Sequence, residues 1–401
     1  MNSLLGVVAI LLFAWLLSTN RKNIRLKTVG LAFALQVAFA LLVLYVPAGK
    51  NALNGVTGAV SNLINYGQEG IAFLFGGLAT GGFTFAINVL GIIIFFSALI
   101  SGLYHIGLMP KVINLIGGAL QKLLGTGRAE SLSATANIFV GMIEAPLVVK
   151  PYLKHMSDSQ FFAVMTCGLA SVAGGTLVGY ASLGVELNYL IAAAFMSAPA
   201  GLLMAKILMP ETETEAQAED VQMENVEMPK ATNVVEAMAD GAMSGLRIAV
   251  AVGATLLAFV SVIALLNGLL GWVGSWFGIS LSFELILGYL FAPVAWLLGI
   301  PWHEAITAGS LIGNKIVVNE FVAFIQLMQV KQDLSAHSQA IVTFALCGFA
   351  NISTMAMLIG GLGSLVPEKR SFISKYGFRA ITAGVLANLM SASIAGVILS
   401  L

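Results

Sequence analysis

Charge is scarce in this chain of 401 residues: Asp, Glu, Lys and Arg together make up 9%, against about 25% in a soluble globular domain. That shortage excludes a water-soluble fold of this size. Acidic and basic residues balance at 19 each, so the bulk positive field that draws nucleic acid is missing and no nucleic-acid partner is expected. There are two cysteines, Cys167 and Cys347, both inside apolar stretches. They read as small helix-packing residues rather than a disulfide, and no paired CxxC marks a zinc site. The four histidines form no cluster; His303 opens an interrupted segment, where interfacial placement explains it. No GxxxxGK[ST] loop is present, which excludes ATP hydrolysis within the chain. No nucleophile–base arrangement stands out, so the chain is expected not to be an enzyme and to carry no cofactor. The first apolar run, 3–19, lacks the basic n-region of a signal peptide. Its basic cluster (Arg21, Lys22, Arg25, Lys27) follows instead, which marks a first membrane helix with its N-terminus outside.

What the chain has in excess is hydrophobic sequence, 58% of it. Apolar stretches near the roughly 20 residues that cross about 30 Å of hydrocarbon read at 3–19, 28–47, 86–109, 160–184, 187–209, 247–270, 340–366 and 378–400. The stretch 48–85 carries scattered polar residues and reads as an interfacial amphipathic helix plus loop. Two others, 112–150 and 303–330, are apolar but interrupted by Gly, Asn, Glu and Pro. The segment 271–300 either spans or lies flat.

If both interrupted stretches enter and leave on one side, eight crossings remain and both termini lie outside. Alternate loops then place every Lys and Arg inside except Lys50, Lys331 and Lys315, the last falling within the second interrupted stretch. A wrong span count would have scattered the basic residues over both sides. Residues 210–230 form the one long polar stretch, with Glu211, Glu213, Glu215, Glu219, Asp220, Glu224 and Glu227. It reads as a solvated acidic cytoplasmic linker between two halves, with a regulatory docking segment as the alternative.

The halves repeat. Cys167-Gly168-Leu169-Ala170-Ser171-Val172 aligns with Cys347-Gly348-Phe349-Ala350-Asn351-Ile352, and each copy follows an interrupted stretch with a central glutamate, Glu144 or Glu320. The charge assignment starts the first interrupted stretch inside and the second outside, so the repeats are inverted. Backbone that leaves helical pairing in a bilayer must be buried in protein or line a wet cavity. Broken segments at matching places in two halves are the sequence pointer to a transporter's midplane site.

Ionisable groups at membrane depth cost about 2.5–3.5 kcal/mol each on insertion scales and are functional by default. Glu144 and Glu320 stand where hairpin tips belong. Their carboxylates accept hydrogen bonds from hydroxyls, as a sugar ligand requires; tying the tips to backbone N–H groups is the rival role. Asn137 and Ser171 offer oxygens to a hard cation, although buried Asn and Ser also serve as helix-packing glue. Asn351 and Thr354, three apart, share one face of a helix and can hold one ligand together. Phe349 is either core or a platform for a flat ligand.

At these residues the chain resembles the concentrative nucleoside transporter family, nearly end to end and in specific motifs. Gly125-Thr126-Gly127-Arg128-Ala129-Glu130-Ser131 through Asn137-Ile138-Phe139-Val140-Gly141 and Glu144-Ala145-Pro146 is similar to that family's first hairpin. Val318-Asn319-Glu320-Phe321-Val322-Ala323 is similar to its second, Phe344–Asn351 to the following helix, and Ala387-Asn388-Leu389-Met390 to the last. The resemblance implies an all-α polytopic protein of eight transmembrane helices with two opposed re-entrant hairpins, assembled as a homotrimer in the bacterial inner membrane and working as an elevator. In those terms, 1–110 forms the N-terminal scaffold with an interfacial helix, and 111–209 the first repeat with its hairpin. The linker is 210–230, 231–300 a scaffold helix with an interfacial segment, and 301–401 the second repeat. It implies a sodium-coupled nucleoside symporter, with a proton-coupled version or a carrier of modified nucleosides such as pseudouridine as alternatives. A passive channel or facilitator, which accumulation against a gradient would exclude, and a carrier of another polar metabolite, which Glu320→Gln would discriminate, are the other readings.

By position, the resemblance gives Glu320, Asn351 and Thr354 to the ribose, Phe349 to the pocket wall, and Glu144 with its neighbours to the base. It gives Asn137, Ser171 and the carbonyls of Val140, Ser171 and Val172 to sodium. The chain departs from the family just before Glu144, where Met142 and Ile143 replace Gln and Thr or Ser. Thr354 stands where Ser is common, and Thr176 where a small apolar residue often faces the base. Each lost polar contact is worth roughly 0.5–1.5 kcal/mol, so the ribose end is preserved and the base end altered.

Overall fold

Within a bilayer a segment must satisfy its own N–H and C=O groups, and helix is the open-chain way to do so. The computed structural model describes residues 2–80, 84–212 and 231–401, and among these there is no strand. The chain opens with α1 (Asn2–Leu16), α2 (Leu26–Leu44) and α3 (Pro47–Phe75). Two runs of matching order follow. The first comprises α4 (Phe85–His105), α5 (Leu108–Leu124), a hairpin led by α6 (Arg128–Ala136), a helix split into α7 (Asp158–Ala170) and α8 (Gly174–Ser182), and α9 (Leu187–Leu208). The second comprises α10 (Val234–Ser275), α11 (Phe283–Leu297), a hairpin of α12 (Trp302–Val317) and α13 (Glu320–Gln329), a helix split into α14 (Ala336–Leu346) and Thr354–Leu365, and α15 (Arg370–Ile398).

Several boundaries differ from the sequence reading. The first hairpin starts at Arg128, not near 112: Gly125, at φ 64°, stops α5 as a separate helix. The helix expected within 48–85 is α3, whose 29 residues take up most of that stretch. The ambiguous 271–300 divides, because α10 runs on to Ser275 and α11 is bent 114° from α12. At 1.5 Å per residue the 42 residues of α10 extend about 63 Å, twice the hydrocarbon thickness, so one end projects beyond the bilayer. Among the described residues six helices are long and apolar enough to span, or seven with the bent α11–α12 pair. The eight crossings counted from the sequence include α1, which has 15 residues, and 340–366, which is broken in the middle. Most of the expected acidic linker, 213–230, lies outside the described residues.

Two packing regimes separate the helices. In α10 the buried positions Ala237, Gly241, Gly245 and Ala249 recur every fourth residue and face α4. A Cβ at Gly241 would sit 2.7 Å from the Ser97 carbonyl oxygen, and one at Gly245 2.8 Å from Ile94 Cα. Small residues at this spacing let the backbones meet, which drives association where lipid leaves no hydrophobic gain. Ser101 Oγ adds a hydrogen bond to the Ala237 carbonyl at 2.7 Å. The opposite face of α10 is bare, with Leu257, Leu265 and Trp272 exposed.

By contrast α7, α9 and the later part of α15 are buried on all sides, as expected of helices apolar all round. Around this bundle α1 and α2 pack on α9 and α15, where Gln36 Nε2 donates to Ser391 Oγ at 2.9 Å. At one end of the bundle Lys206 on α9 lies 2.8 Å from both Glu130 and Glu211. Glu211 also meets Arg25 at 3.0 Å, so the start of α6, the end of α9 and the entry to α2 are clamped together.

Candidate functional site

Each repeat's split helix breaks at the paired motif. After α7 the chain turns extended at Ser171 (φ −106°, ψ 172°) and resumes as α8 at Gly174. After α14 it leaves helical pairing from Cys347 to Ser353. The breaks meet: the Phe349 N–H donates to the Ser171 carbonyl at 3.1 Å. The last carbonyl of α7, on Ala170, and that of Cys347 both accept from Asn388 Nδ2, at 2.7 and 2.9 Å. One amide on α15 thus satisfies both broken ends, as irregular backbone at membrane depth demands.

Glu320 opens α13 at the tip of the second hairpin, where Asn319 caps the helix by accepting from the Val322 N–H at 2.9 Å. Its carboxylate is 5% exposed and held from both sides. Tyr180 Oη donates to Oε1 at 3.1 Å and Asn351 Nδ2 to Oε2 at 3.1 Å. Tyr180 is itself wedged between Phe321 and Phe324, with ring centroids 4.7 and 4.5 Å away. The sequence reading missed Tyr180. Its signal was a lone phenol in an apolar helix, which needs a partner when buried. Asn351 and Thr354 do meet, but not on a helical face. Asn351 precedes the helix, and its Oδ1 accepts from the Thr354 N–H at 3.0 Å. Phe349 stands half-buried beside them.

The first hairpin is looser. Between α6 and the 3-10 turn Ala145–Val149, residues 137–144 form turns. Glu144, partly exposed, lines a cavity of about 300 Å³ together with Val140 and Thr176. Across it stand Ser97 and Tyr104 of α4 and Asp240 and Ser244 of α10, and the Tyr104 hydroxyl is buried without a partner. Glu320, Asn351, Thr354 and Phe349 are not among the residues lining this cavity. Met142 and Ile143 also point elsewhere: Met142 is buried against Gly168, and Ile143 packs on Gly361.

Asn137 is fully buried beside the first break. Its Nδ2 donates to the Ser133 carbonyl at 2.8 Å, while its Oδ1 has no donor. A buried amide oxygen without a donor is costly, and an oxygen-seeking cation would satisfy it. The hydroxyl of Ser171, a residue 1% exposed, makes a long bond of 3.3 Å to the Gly168 carbonyl, and Val172 is buried next to it.

Comparison with known proteins gives one answer along the whole length. Family models described as Na+ dependent nucleoside transporter N-terminus, nucleoside recognition, and Na+ dependent nucleoside transporter C-terminus match residues 5–78, 86–186 and 189–396. The nucleoside permease NupC of Helicobacter pylori is 55% identical over all of this chain and 98% of its own. Sodium/nucleoside cotransporter 1 of Mus musculus is 36% identical over 98% of this chain and 62% of its own. The solved structure of CNTnw in an inward-facing substrate-bound state superposes with a TM-score of 0.93 at 51% identity, over 100% of this chain and 97% of that one.

Proposed function

The chain belongs to the concentrative, Na+-dependent nucleoside transporter family, and on that footing we propose which of its residues carry the transport cycle. It takes up nucleosides by sodium symport. The expectation from sequence was framed as an absence, not an enzyme; it is corrected to a positive class, a transporter and permease, by the family and relatives matched.

The ribose binds at Glu320, Asn351 and Thr354, with Phe349 as a wall and Tyr180 fixing the carboxylate. The observation that carries this is the doubly hydrogen-bonded, buried Glu320 at the meeting of two broken helices. Such a carboxylate is pre-oriented to accept from a pair of hydroxyls, and little ordering remains to be done on binding. The base lies toward Glu144 and Thr176, in the cavity between the bundle and the α4–α10 pair. Sodium is held by Asn137 Oδ1, Ser171 and the carbonyls of Val140, Ser171 and Val172; the unsatisfied Asn137 oxygen supports that choice. Met142 and Ile143 act through the packing of the hairpin tip rather than by direct contact with the base.

The hairpins, α7–α9 and α12–α15 move as one body, and their packing supports adding α1 and α2 to it. The α4–α10 pair with α3 is the fixed frame, which places the cavity at the sliding boundary. The bare face of α10 suits contact with lipid or with two further copies in a homotrimer. Both termini lie outside the bacterial inner membrane, with eight crossings counted to include α1 and the split helix 336–365.

The test is uptake of labelled uridine or adenosine into proteoliposomes under an inward sodium gradient. Accumulation above the outside concentration, lost when choline replaces sodium, is the expected result. Accumulation driven by a pH gradient without sodium would instead assign the coupling to protons.

A further inference from the structure

Helix α5, between α4 and the first hairpin, takes no part in the site just described. Its inner face, with Ile113, Gly117, Leu120 and Leu124, is buried. A Cβ on Gly117 would stand 2.8 Å from Leu132 Cδ2 and 3.2 Å from Leu132 Cα, so α5 is packed closely on α6. Gly107, which joins α5 to α4, has φ 79° and open space where a Cβ would project. The outward face of α5 is divided along its length. Leu108, Leu115 and Leu123 form an apolar strip, 49, 76 and 55% exposed. Lys111 and Lys122, both exposed, edge that strip, and a separation of three turns puts them on one line.

Charge on this part of the chain has one sign. Exposed basic residues continue past α5 with Arg128, Lys150 and Lys154 at the two feet of the hairpin. Between 106 and 157 the acids are Glu130, held by Lys206, and Glu144, on the cavity wall. Among the described residues none of these exposed lysines and arginines forms an ion pair. An exposed leucine strip edged by unpaired lysines fits a helix lying in a membrane interface, leucines toward the acyl chains and ammonium groups at lipid phosphates. A crossing orientation does not fit: Lys111 and Lys122 are about 17 Å apart along the axis, so one would be left within the roughly 30 Å of hydrocarbon.

We propose that α5 is a binding surface for anionic phospholipid: Lys111 and Lys122 hold headgroup phosphates of the cytoplasmic leaflet and anchor the foot of the first hairpin there. Because α5 is packed on α6 while Gly107 leaves its joint to α4 open, headgroups that hold α5 hold the hairpin with it. The inference rests on the proposed topology, which puts this end of the hairpin inside. The acidic linker has the charge to cover the same lysines. The leucine strip decides for lipid, since 213–230 contains no Leu, Ile or aromatic residue to lie on it.

The experiment equilibrates the purified, delipidated protein with equal amounts of phosphatidylglycerol and phosphatidylcholine and counts the bound lipids by native mass spectrometry. The wild type is expected to prefer phosphatidylglycerol by about 3–10-fold, and Lys111→Gln/Lys122→Gln to lose most of that preference. Lys50→Gln, on the opposite side in the proposed topology, is expected to keep it. Equal binding of the two lipids by the wild type overturns the proposal, and so does a double variant with the wild-type preference. A preference that emerges only when the acids of 213–230 are neutralised assigns the face to the linker and overturns it as well. Asn114→Cys, labelled with an impermeant maleimide, tests the topology separately. Labelling from the cytoplasmic side is expected, and labelling from outside removes the sidedness while the lipid count still decides the binding.

Discussion

The two hairpins each carry a glutamate, and the settings of the two differ in kind. Glu320 is clamped by Tyr180 and Asn351 in a place closed to solvent. Glu144 lies over Gly141 at the edge of an open cavity whose far wall is formed by α4 and α10. A carboxylate held from both sides recognises a fixed pattern of hydroxyls, because a ligand lacking one leaves a buried charge short of a donor. A carboxylate on a roomy cavity wall tolerates different shapes. On the proposed assignment, one repeat is built for what all nucleosides share, the other for what varies among them.

Removing the clamped charge should have the largest effect. Glu320→Gln is expected to weaken nucleoside binding by ~100-fold or more, since two charge-assisted hydrogen bonds at about 1.5–3 kcal/mol each are at stake; equilibrium binding to purified protein measures it. Near-wild-type affinity would erase the distinction between the tips. Tyr180→Phe keeps the ring between Phe321 and Phe324 but deletes one donor to Glu320. An increase of roughly 3–10-fold in KM, similar for purine and pyrimidine nucleosides, is expected because the phenol orients the carboxylate without itself binding the sugar, so only part of a hydrogen bond's worth reaches the ligand. Thr176→Ala, on the open side, should change affinity by only about 2–3-fold and unequally between bases, because a flexible cavity edge exchanges one weak contact for water. A competition panel of nucleosides reads that difference.

Much of this contrast was legible in the sequence. Glutamates at the centres of two Gly- and Asn-interrupted stretches, upstream of a shared Cys-Gly motif, pointed to the two hairpins and to the broken helices that follow them. The boundaries of α5 and α11 were not, because an apolar helix lying beside a hairpin has the same composition as the hairpin itself. Tyr180 and Lys315 were hidden for a different reason. Their partners, Glu320 and Asn388, stand 140 and 73 residues away, and only the crossing of the broken helices brings them into reach. The packing of the residues just before Glu144 was not legible either. A turn conformation at 137–144 sends Met142 and Ile143 into packing against Gly168 and Gly361, which a motif read as a string does not reveal.

The central claim, that sugar recognition belongs to the second hairpin and base recognition to the first, is tested most directly with nucleosides lacking the 2′- or 3′-hydroxyl. Their affinity relative to the parent nucleoside would be compared in wild type, Glu144→Gln and Glu320→Asp. Loss of a hydroxyl should cost roughly 10–100-fold in wild type and equally in Glu144→Gln, but much less in Glu320→Asp, whose carboxylate is drawn back from the sugar. If the hydroxyl penalty instead collapses in Glu144→Gln and survives in Glu320→Asp, the two tips have been assigned the wrong way round.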